Sequence, residues 1–495
     1  MDAKQIAGMG RGLGRFLRMF RDCFGRSEPR EHLEHYVRGQ LSDLQRKSVE
    51  PIALAVGTPP RTLQQFLEFT TWDEQRMRDR LQQIVARDHA HPDAIGAIDD
   101  TGHPKKGRHT AAVHRQYCGN TGKIDNCVVS VHVSYVVGDF HCILDSDVYL
   151  PKAWDEDPDR REQAHIPPEV AYRKKTDIAL DQVRRALVNG IRVQAWTFDE
   201  WYGRDRGFLR ELEALGQSYV GEIPSDFTVW LKEPRVLTRP RPQDLHKRGG
   251  QKRFPRLARQ NLRACEVRNL LKHSKVFRRQ KWQRFRVKDG EKGPIVWEVK
   301  HTTCYIPSKR ELPSTRHTLI VARNVINLNE VKYFISDRLV DAGDISLKWM
   351  MWVAFARWPI EECFKRAKNE LGMDHFEVRG WRSIHRHLYI TQLSHLFCSR
   401  EHQRLREKND RDRVSHRRAG ARRSLCVVRG SAATAKSTPQ EVPAGRRTNR
   451  LLPASQPTGA EVSYQNDEAT PSQTRCQTPP TPLLRTPELV GYVAL

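Results

Sequence analysis

The chain has 495 residues, enough for two or three domains with cores of their own. Its 85 lysines and arginines against 59 acids give a formal charge of +26, beyond what solubility requires, so a polyanionic partner is expected, and nucleic acid is the commonest large one. No apolar run approaches the ~20 residues of a spanning helix, Arg11, Arg15, Arg18 and Arg21 interrupt what would be the apolar core of a signal peptide, and ten cysteines without CxxC spacing suggest neither a zinc site nor a disulfide framework. A reduced, cytoplasmic protein with no membrane partner is expected.

Residues 1–90 read as helical. "GRGLGRFLRMFRDCFG" puts Leu13, Phe16, Leu17 and Phe20 on one face, and "TPPRTLQQFLEFTTWDEQRMRDRLQQIVARDH" opens with Thr58 as a cap and proline in the first turn. This pair of helices suits a DNA-binding unit or a structural one equally. From about residue 91 to 225 the texture is α/β: "AIGAIDDTG" and "NCVVSVHVSYVVGDFHCILDSDVYL" read as strands with a turn at Gly138 and Asp139. A helix follows over 176–189, then "IRVQAWTFDEWYGRDRGFLRELEAL" reads strand, acid, helix, and "QSYVGEIP" another strand.

Residues 226–335 predict a basic, largely β insertion. Arg278, Arg279, Lys281 and Arg284 are the expected DNA contacts, and Trp282 and Phe285, interleaved among these basic residues and Arg286, are expected to stack on exposed bases near a nicked end. Strand character returns at "KYFISD". Within residues 336–400 the helix "ARWPIEECFKRAKNELG" places Arg357, Glu361 and Lys368 within roughly 40° of one another at 100° per residue. Beside that face, Ile360, Phe364, Ala367 and Leu371 form an apolar stripe. A second helix is predicted in "SIHRHLYITQLSHLFCSR". Beyond it, residues 401–495 lose all periodicity and are expected to be mostly disordered.

Three acids stand at comparable places: Asp100 and Asp199 at strand ends and Glu361 on the late helix. Singly, each also reads as a turn residue, a cap or a surface ion pair. Together they suit phosphodiester cleavage, in which hard divalent cations are held by a few carboxylates and phosphate oxygens. Arg357 and Lys368 would keep Glu361 ionised and position phosphate.

"AIDDTGHPKKG" with "HRQYCGNTGKIDNC", then "WTFDEWYGRDRGFLREL", then "RWPIEECFKRAKNELGMDHFEVRGWRSIHRHL" resemble the three catalytic blocks of DDE-type insertion-sequence transposases. The third block matches the Tyr-x2-Arg-x3-Glu-x6-Lys signature at Arg357, Glu361 and Lys368, with Ala354 where the signature has tyrosine. The resemblance, over roughly residues 40–400, implies an α/β fold with a ribonuclease-H-like core and a β insertion between the second and third acids. It also implies Asp100, Asp199 and Glu361 as metal ligands, Mg²⁺ or Mn²⁺ as cofactor, and DNA, both element ends and target, as partner. A homodimer or higher assembly on DNA, associated with the bacterial nucleoid, follows from it. Asp100 is preferred over its neighbour Asp99 because it directly precedes the threonine. Beside strand joining, a plain nuclease on the same core and a non-catalytic DNA-binding derivative remain compatible readings.

Overall fold

Five helices open the chain: α1 (Ala3–Arg18), α2 (Ser27–Gln40), α3 (Val49–Ala55), α4 (Pro60–Glu68) and α5 (Glu74–Asp88). Leu13, Phe16 and Phe20 are buried, as the periodicity requires, and Asp73 caps α5 by accepting from the Arg76 amide. The cap of α4 is Pro59 rather than Thr58, whose amide closes the preceding turn onto Ala53. The structure, a computed structural model, describes residues 3–239, 253–259, 261–290, 293–308, 312–343 and 345–431. The basic run over 240–252 and the tail from residue 432 lie outside them.

The first sheet follows: β1 (Ile95–Pro104), β2 (His114–Cys118), β3 (Lys123–Val137) and β4 (Phe140–Val148), all antiparallel where they pair. After α6 (Lys152–Asp155), α7 (Pro158–Gln163) and α8 (Lys175–Val188), β5 (Trp196–Phe198) returns parallel to β1. The order is β4-β3-β1-β5, with β2 pairing the first residues of β3. Then come α9 (Glu200–Gly203), α10 (Arg206–Ala214) and β6 (Val220–Ile223). A single parallel bridge from Trp196 to Tyr219 lays the approach to β6 beside β5. Gly203 has to be glycine, because a Cβ there would lie 1.9 Å from the Glu222 carbonyl oxygen and push α9 off β6.

The basic insertion carries short pieces β7 (Thr228–Val229), β8 (Val236–Leu237), β9 (Arg256–Leu257), β10 (Cys265–Glu266), α11 (Leu270–His273) and α12 (Lys275–Arg279), then long strands β11 (Gln283–Gly290), β12 (Gly293–Pro307) and β13 (Pro313–Asn324). With β14 (Val331–Ser336) these form one antiparallel sheet in the order β11-β12-β13-β14-β6. The insertion therefore grows out of the same β6 that flanks β5.

Helices α13 (Leu347–Phe355), α14 (Trp358–Leu371) and α15 (Trp381–Ser431) complete the described chain. The stripe Ile360, Phe364, Ala367 and Leu371 is buried. Gly372 ends α14 in the left-handed region at φ 72°, and the amides of Met373 and Gly372 bond the carbonyls of Ala367 and Lys368. Helix α15 continues past residue 401, where a mostly disordered tail is expected to begin, as far as Ser431, through a stretch rich in arginine. Within residues 1–420, one apolar cluster joins Phe20, Phe66 and Val85 of the early region to Ile98, Val131 and Phe397, so α1–α5 share a core with the first sheet and α15. Among the described residues no helix is long and apolar enough to cross a membrane.

Candidate active site

Alternation along β1 decides what each of its side chains meets. Ala97, Asp99, Thr101 and His103 turn toward α14 and the segment after it. Ala97 packs in one cluster with Ile360 and Phe364, Asp99 accepts from Arg357 at 2.8 Å, Thr101 accepts from Lys368 at 2.7 Å, and His103 lies edge-on to Phe376. Ile98 and Asp100 turn the other way. The Asp100 carboxylate takes the Lys175 ammonium of α8 at 2.9 Å and lies 3.4 Å from the Tyr202 hydroxyl of α9.

Asp199 follows β5 and caps α9, its Oδ1 accepting from the amides of Trp201 and Tyr202 at 3.0 and 3.3 Å. The cap reading and the site reading are thus compatible, since capping uses one carboxylate oxygen. Tyr202, buried beneath, joins the two acids: its backbone binds Asp199 and its hydroxyl approaches Asp100. Arg357 precedes α14 and forks between two carboxylates, with Nη1 on Asp99 and Nη2 on Glu361, each at 2.8 Å.

These groups feel one another. Burial, together with the charges of Asp199 and Asp100, pushes the Asp99 carboxyl up to about 8 against the pull of Arg357. Burial likewise raises Asp199, opposed by Arg357 and aided by Asp100. The Arg357 guanidinium, although desolvated, is held above its usual value by Asp99, Glu361, Asp199 and Glu222. Asp99, Asp100 and Asp199 therefore form a crowded group of carboxyls, whose mutual repulsion raises Asp99 and Asp199 and which one arginine and one lysine face. Such hard oxygen donors, short of cationic charge, fit a divalent ion of the Mg²⁺ or Mn²⁺ kind. Among the described residues no three His, Cys, Asp or Glu side chains already form a closed metal-binding cluster.

Lys368 is placed differently from Arg357. It is buried, and its ammonium donates to Thr101 Oγ1 and to the Gly102 carbonyl, which ties α14 to β1. Ala354, at the signature's tyrosine position, is buried in the cluster of Trp297 and Phe334, and the neighbouring Phe355 packs on those same two rings. Lys175, Tyr202 and Glu222 join the site without having been marked in the sequence. Tyr202 carried the one available signal, standing one helical turn after Asp199.

In the basic insertion Arg278, Arg279 and Lys281 are exposed. Arg284 pairs with Glu298 at 3.1 Å, an acid it shares with Arg323. The two aromatics expected to stack on bases both have partners within the fold. The Trp282 ring is covered by Lys300 at 4.7 Å and Arg323 at 4.2 Å, and Phe285 packs on the cluster of Trp297 and Ala354. Alternation along β11 turned Phe285 inward.

Residues 19–294 match the sequence model of the DDE superfamily endonucleases, a span that contains Asp100 and Asp199 and stops before Glu361. A curated relative, the probable transposase for insertion sequence element IS701 of Microchaete diplosiphon, is 32% identical over 226 residues, which cover 45% of this chain and 55% of that protein. The chain thus spans about half the length of that relative. A solved structure, the cryo-EM synaptic complex of piggyBac transposase with hairpin DNA, aligns over 78% of this chain and 67% of that one at a TM-score of 0.37 and 11% identity. With the family model covering more than half of its length, and three acidic blocks resembling those of insertion-sequence transposases, the chain belongs to the DDE superfamily of endonucleases.

Proposed function

We propose that this protein is a DNA transposase that cleaves a phosphodiester at the ends of its element and joins the freed strand to target DNA. The observation that carries the reading is the gathering of Asp99, Asp199 and Glu361 from β1, the end of β5 and α14 about Arg357, with Asp100 on the other face of β1 linked to Asp199 through Tyr202. The order β4-β3-β1-β5, three antiparallel strands with a parallel fourth and β6 beyond it, supports a ribonuclease-H-like core. Asp100, Asp199 and Glu361 would hold Mg²⁺ or Mn²⁺, with Asp99 beside them. Such ions, when bound, stabilise the attacking and leaving oxygens of an in-line displacement.

The chain's own residues do the rest. Arg357 orients Glu361 and presents a cation toward phosphate, with its side chain 22% exposed. Lys175 holds the Asp100 carboxylate, and Tyr202 fixes Asp100 relative to Asp199. Water opens the bond at an element end and leaves a 3′ hydroxyl, which then displaces an oxygen of a target phosphodiester. The high positive charge supports DNA as partner, and strand joining calls for assembly of more than one copy on the two ends. The test is incubation of the full chain with DNA carrying the element ends, with and without Mg²⁺. Cleavage and joined products are expected only with the metal. Metal-independent binding without any cleavage would instead establish a non-catalytic DNA-binding protein, and cleavage without joined products a plain nuclease.

A further inference from the structure

Just past Asp199 the chain reads Arg204, Asp205, Arg206 and Arg210, and these residues border a notch of about 550 Å³. Its other wall is the turn after β6, with Asp226 and Phe227, and Ser308 closes it. We propose that this notch binds a backbone phosphate of the DNA strand leaving the active site. The proposal rests on the DNA-cleaving reading above.

The charge balance carries the argument. Arg206 is half-buried, lies 5.0 Å over the Phe227 ring and donates to Thr228 Oγ1 at 2.6 Å and the Pro307 carbonyl at 3.2 Å. Those partners satisfy its N–H groups but carry no charge, and no carboxylate pairs with it among the described residues. A desolvated guanidinium facing only neutral acceptors is costly, and an anion entering the notch would relieve that cost. Burial accordingly pulls its pKa down. Arg204 and Arg210 likewise form no ion pair among the described residues. Of the two acids at the notch, Asp205 is engaged elsewhere: Oδ1 caps α10 through the amides of Gly207 and Phe208, and Oδ2 faces Thr176 and Lys174 of the α8 side. Only the exposed Asp226 remains at the rim. Three arginines thus stand against one uncommitted carboxylate.

Position makes the anion a nucleic-acid phosphate. The four-residue α9 separates Asp199 from Arg204, a rise of ~6 Å, or roughly two nucleotide steps at ~3.4 Å of axial rise each. A strand whose scissile phosphate sits at Asp199 therefore passes the notch within a short reach. Guanidinium groups suit this task because their forked donors match phosphate oxygens.

The test uses the full chain without divalent metal. Affinity for duplex DNA is measured by fluorescence anisotropy across a salt series for the wild type, for Arg204→Glu/Arg210→Glu, and for a control reversal of two exposed arginines elsewhere, Arg61→Glu/Arg192→Glu. In the notch variant the slope of log affinity against log salt should flatten by roughly 0.9 for each phosphate that is no longer neutralised, while the control should change it less. Arg204→Gln, a mild change at an exposed position, provides the same reading if the double variant does not fold. An unchanged slope in a folded notch variant, or an equal change in the control, overturns the notch alone when the wild type cleaves DNA. A wild type that binds no DNA overturns the transposase reading and the notch with it.

Discussion

The neighbours Asp99 and Asp100 lie on opposite faces of β1, so a single substitution at each separates their roles. Asp100→Asn, Asp199→Asn and Glu361→Gln keep side-chain shape but lose a negative oxygen. Each is expected to lower metal-dependent cleavage by roughly 100-fold or more, the scale of removing one electrostatic contact at a reacting centre, with DNA affinity nearly intact. Asp99→Asn should cost less, because its carboxyl, although it feels the charge of Asp199, is already bound by Arg357 at 2.8 Å. Cleavage abolished in Asp99→Asn and kept in Asp100→Asn would reverse that assignment. Arg357→Lys should resemble Arg357→Ala in activity, since an ammonium cannot bridge Asp99 and Glu361 at 2.8 Å each as the fork does. Rescue by lysine would reduce Arg357 to a point charge.

At the scale of elements, two ties hold the site together. Lys368 joins α14 to β1 through Thr101 and Gly102, inside the protein. Lys368→Met keeps the length of the stem and leaves two buried acceptors without a donor, which should cost about 1–3 kcal/mol of stability. A lowered melting temperature together with a comparable fall in cleavage is expected; reduced activity with unchanged melting would instead indicate direct contact with phosphate. The second tie docks α5 and α15 on β4. Arg78 grips the fully buried Asp145 with two bonds of 2.9 Å, and Asp147 takes His385 and Arg173, each at 2.9 Å. Burial alone would raise Asp147, but the hydrogen bond and charge of His385 and the charges of Arg78 and Arg173 outweigh it and hold the carboxyl well below the usual carboxylate range. A depressed folded value means the contribution to stability is complete above the unfolded value near 3.8 and is lost as pH falls below it. Asp147→Asn should therefore flatten the acid limb of a pH-dependent melting series. Arg78→Met, which leaves the buried Asp145 with only the Arg185 guanidinium at 3.6 Å, should cost about 3–5 kcal/mol at neutral pH.

For the molecule as a whole, the charge of +26 has more than one outlet. The exposed Arg278, Arg279 and Lys281 remain the expected DNA contacts of the insertion. Their reversal to glutamate should lower affinity and flatten the salt slope by roughly 0.9 per phosphate released. An unchanged slope in a folded variant would leave DNA binding to other surfaces. Arg284 is less available, being paired with Glu298. The α1–α5 region offers a weaker case for a separate DNA-binding unit, because Leu63, Phe66, Leu81 and Val85 are consumed in the common core.

Much of this was legible along the chain because it depends on local period. The buried stripe of α14, the hairpin turn at Gly138 and the acid at the end of β5 follow from spacing and turn chemistry, and the shared face of Arg357 and Glu361 follows from helical geometry; Asp100, expected at a strand end, instead falls in the middle of β1, which pairs with β3 as far as Pro104. Long-range partners decided what local period leaves open. Alternation puts Asp99 and Asp100 on opposite faces, but only the packing of α14 against one face and α8 against the other determines which acid meets which partner. Helical spacing brings Lys368 to the charged face, yet its ammonium finds Thr101 and Gly102 on a strand more than two hundred and fifty residues away in sequence, because a buried cation must be hydrogen-bonded. The insertion's strands read as β from composition. That they extend a sheet begun at β6 depended on which edge was left unpaired, and an unpaired edge is a property of the assembled fold.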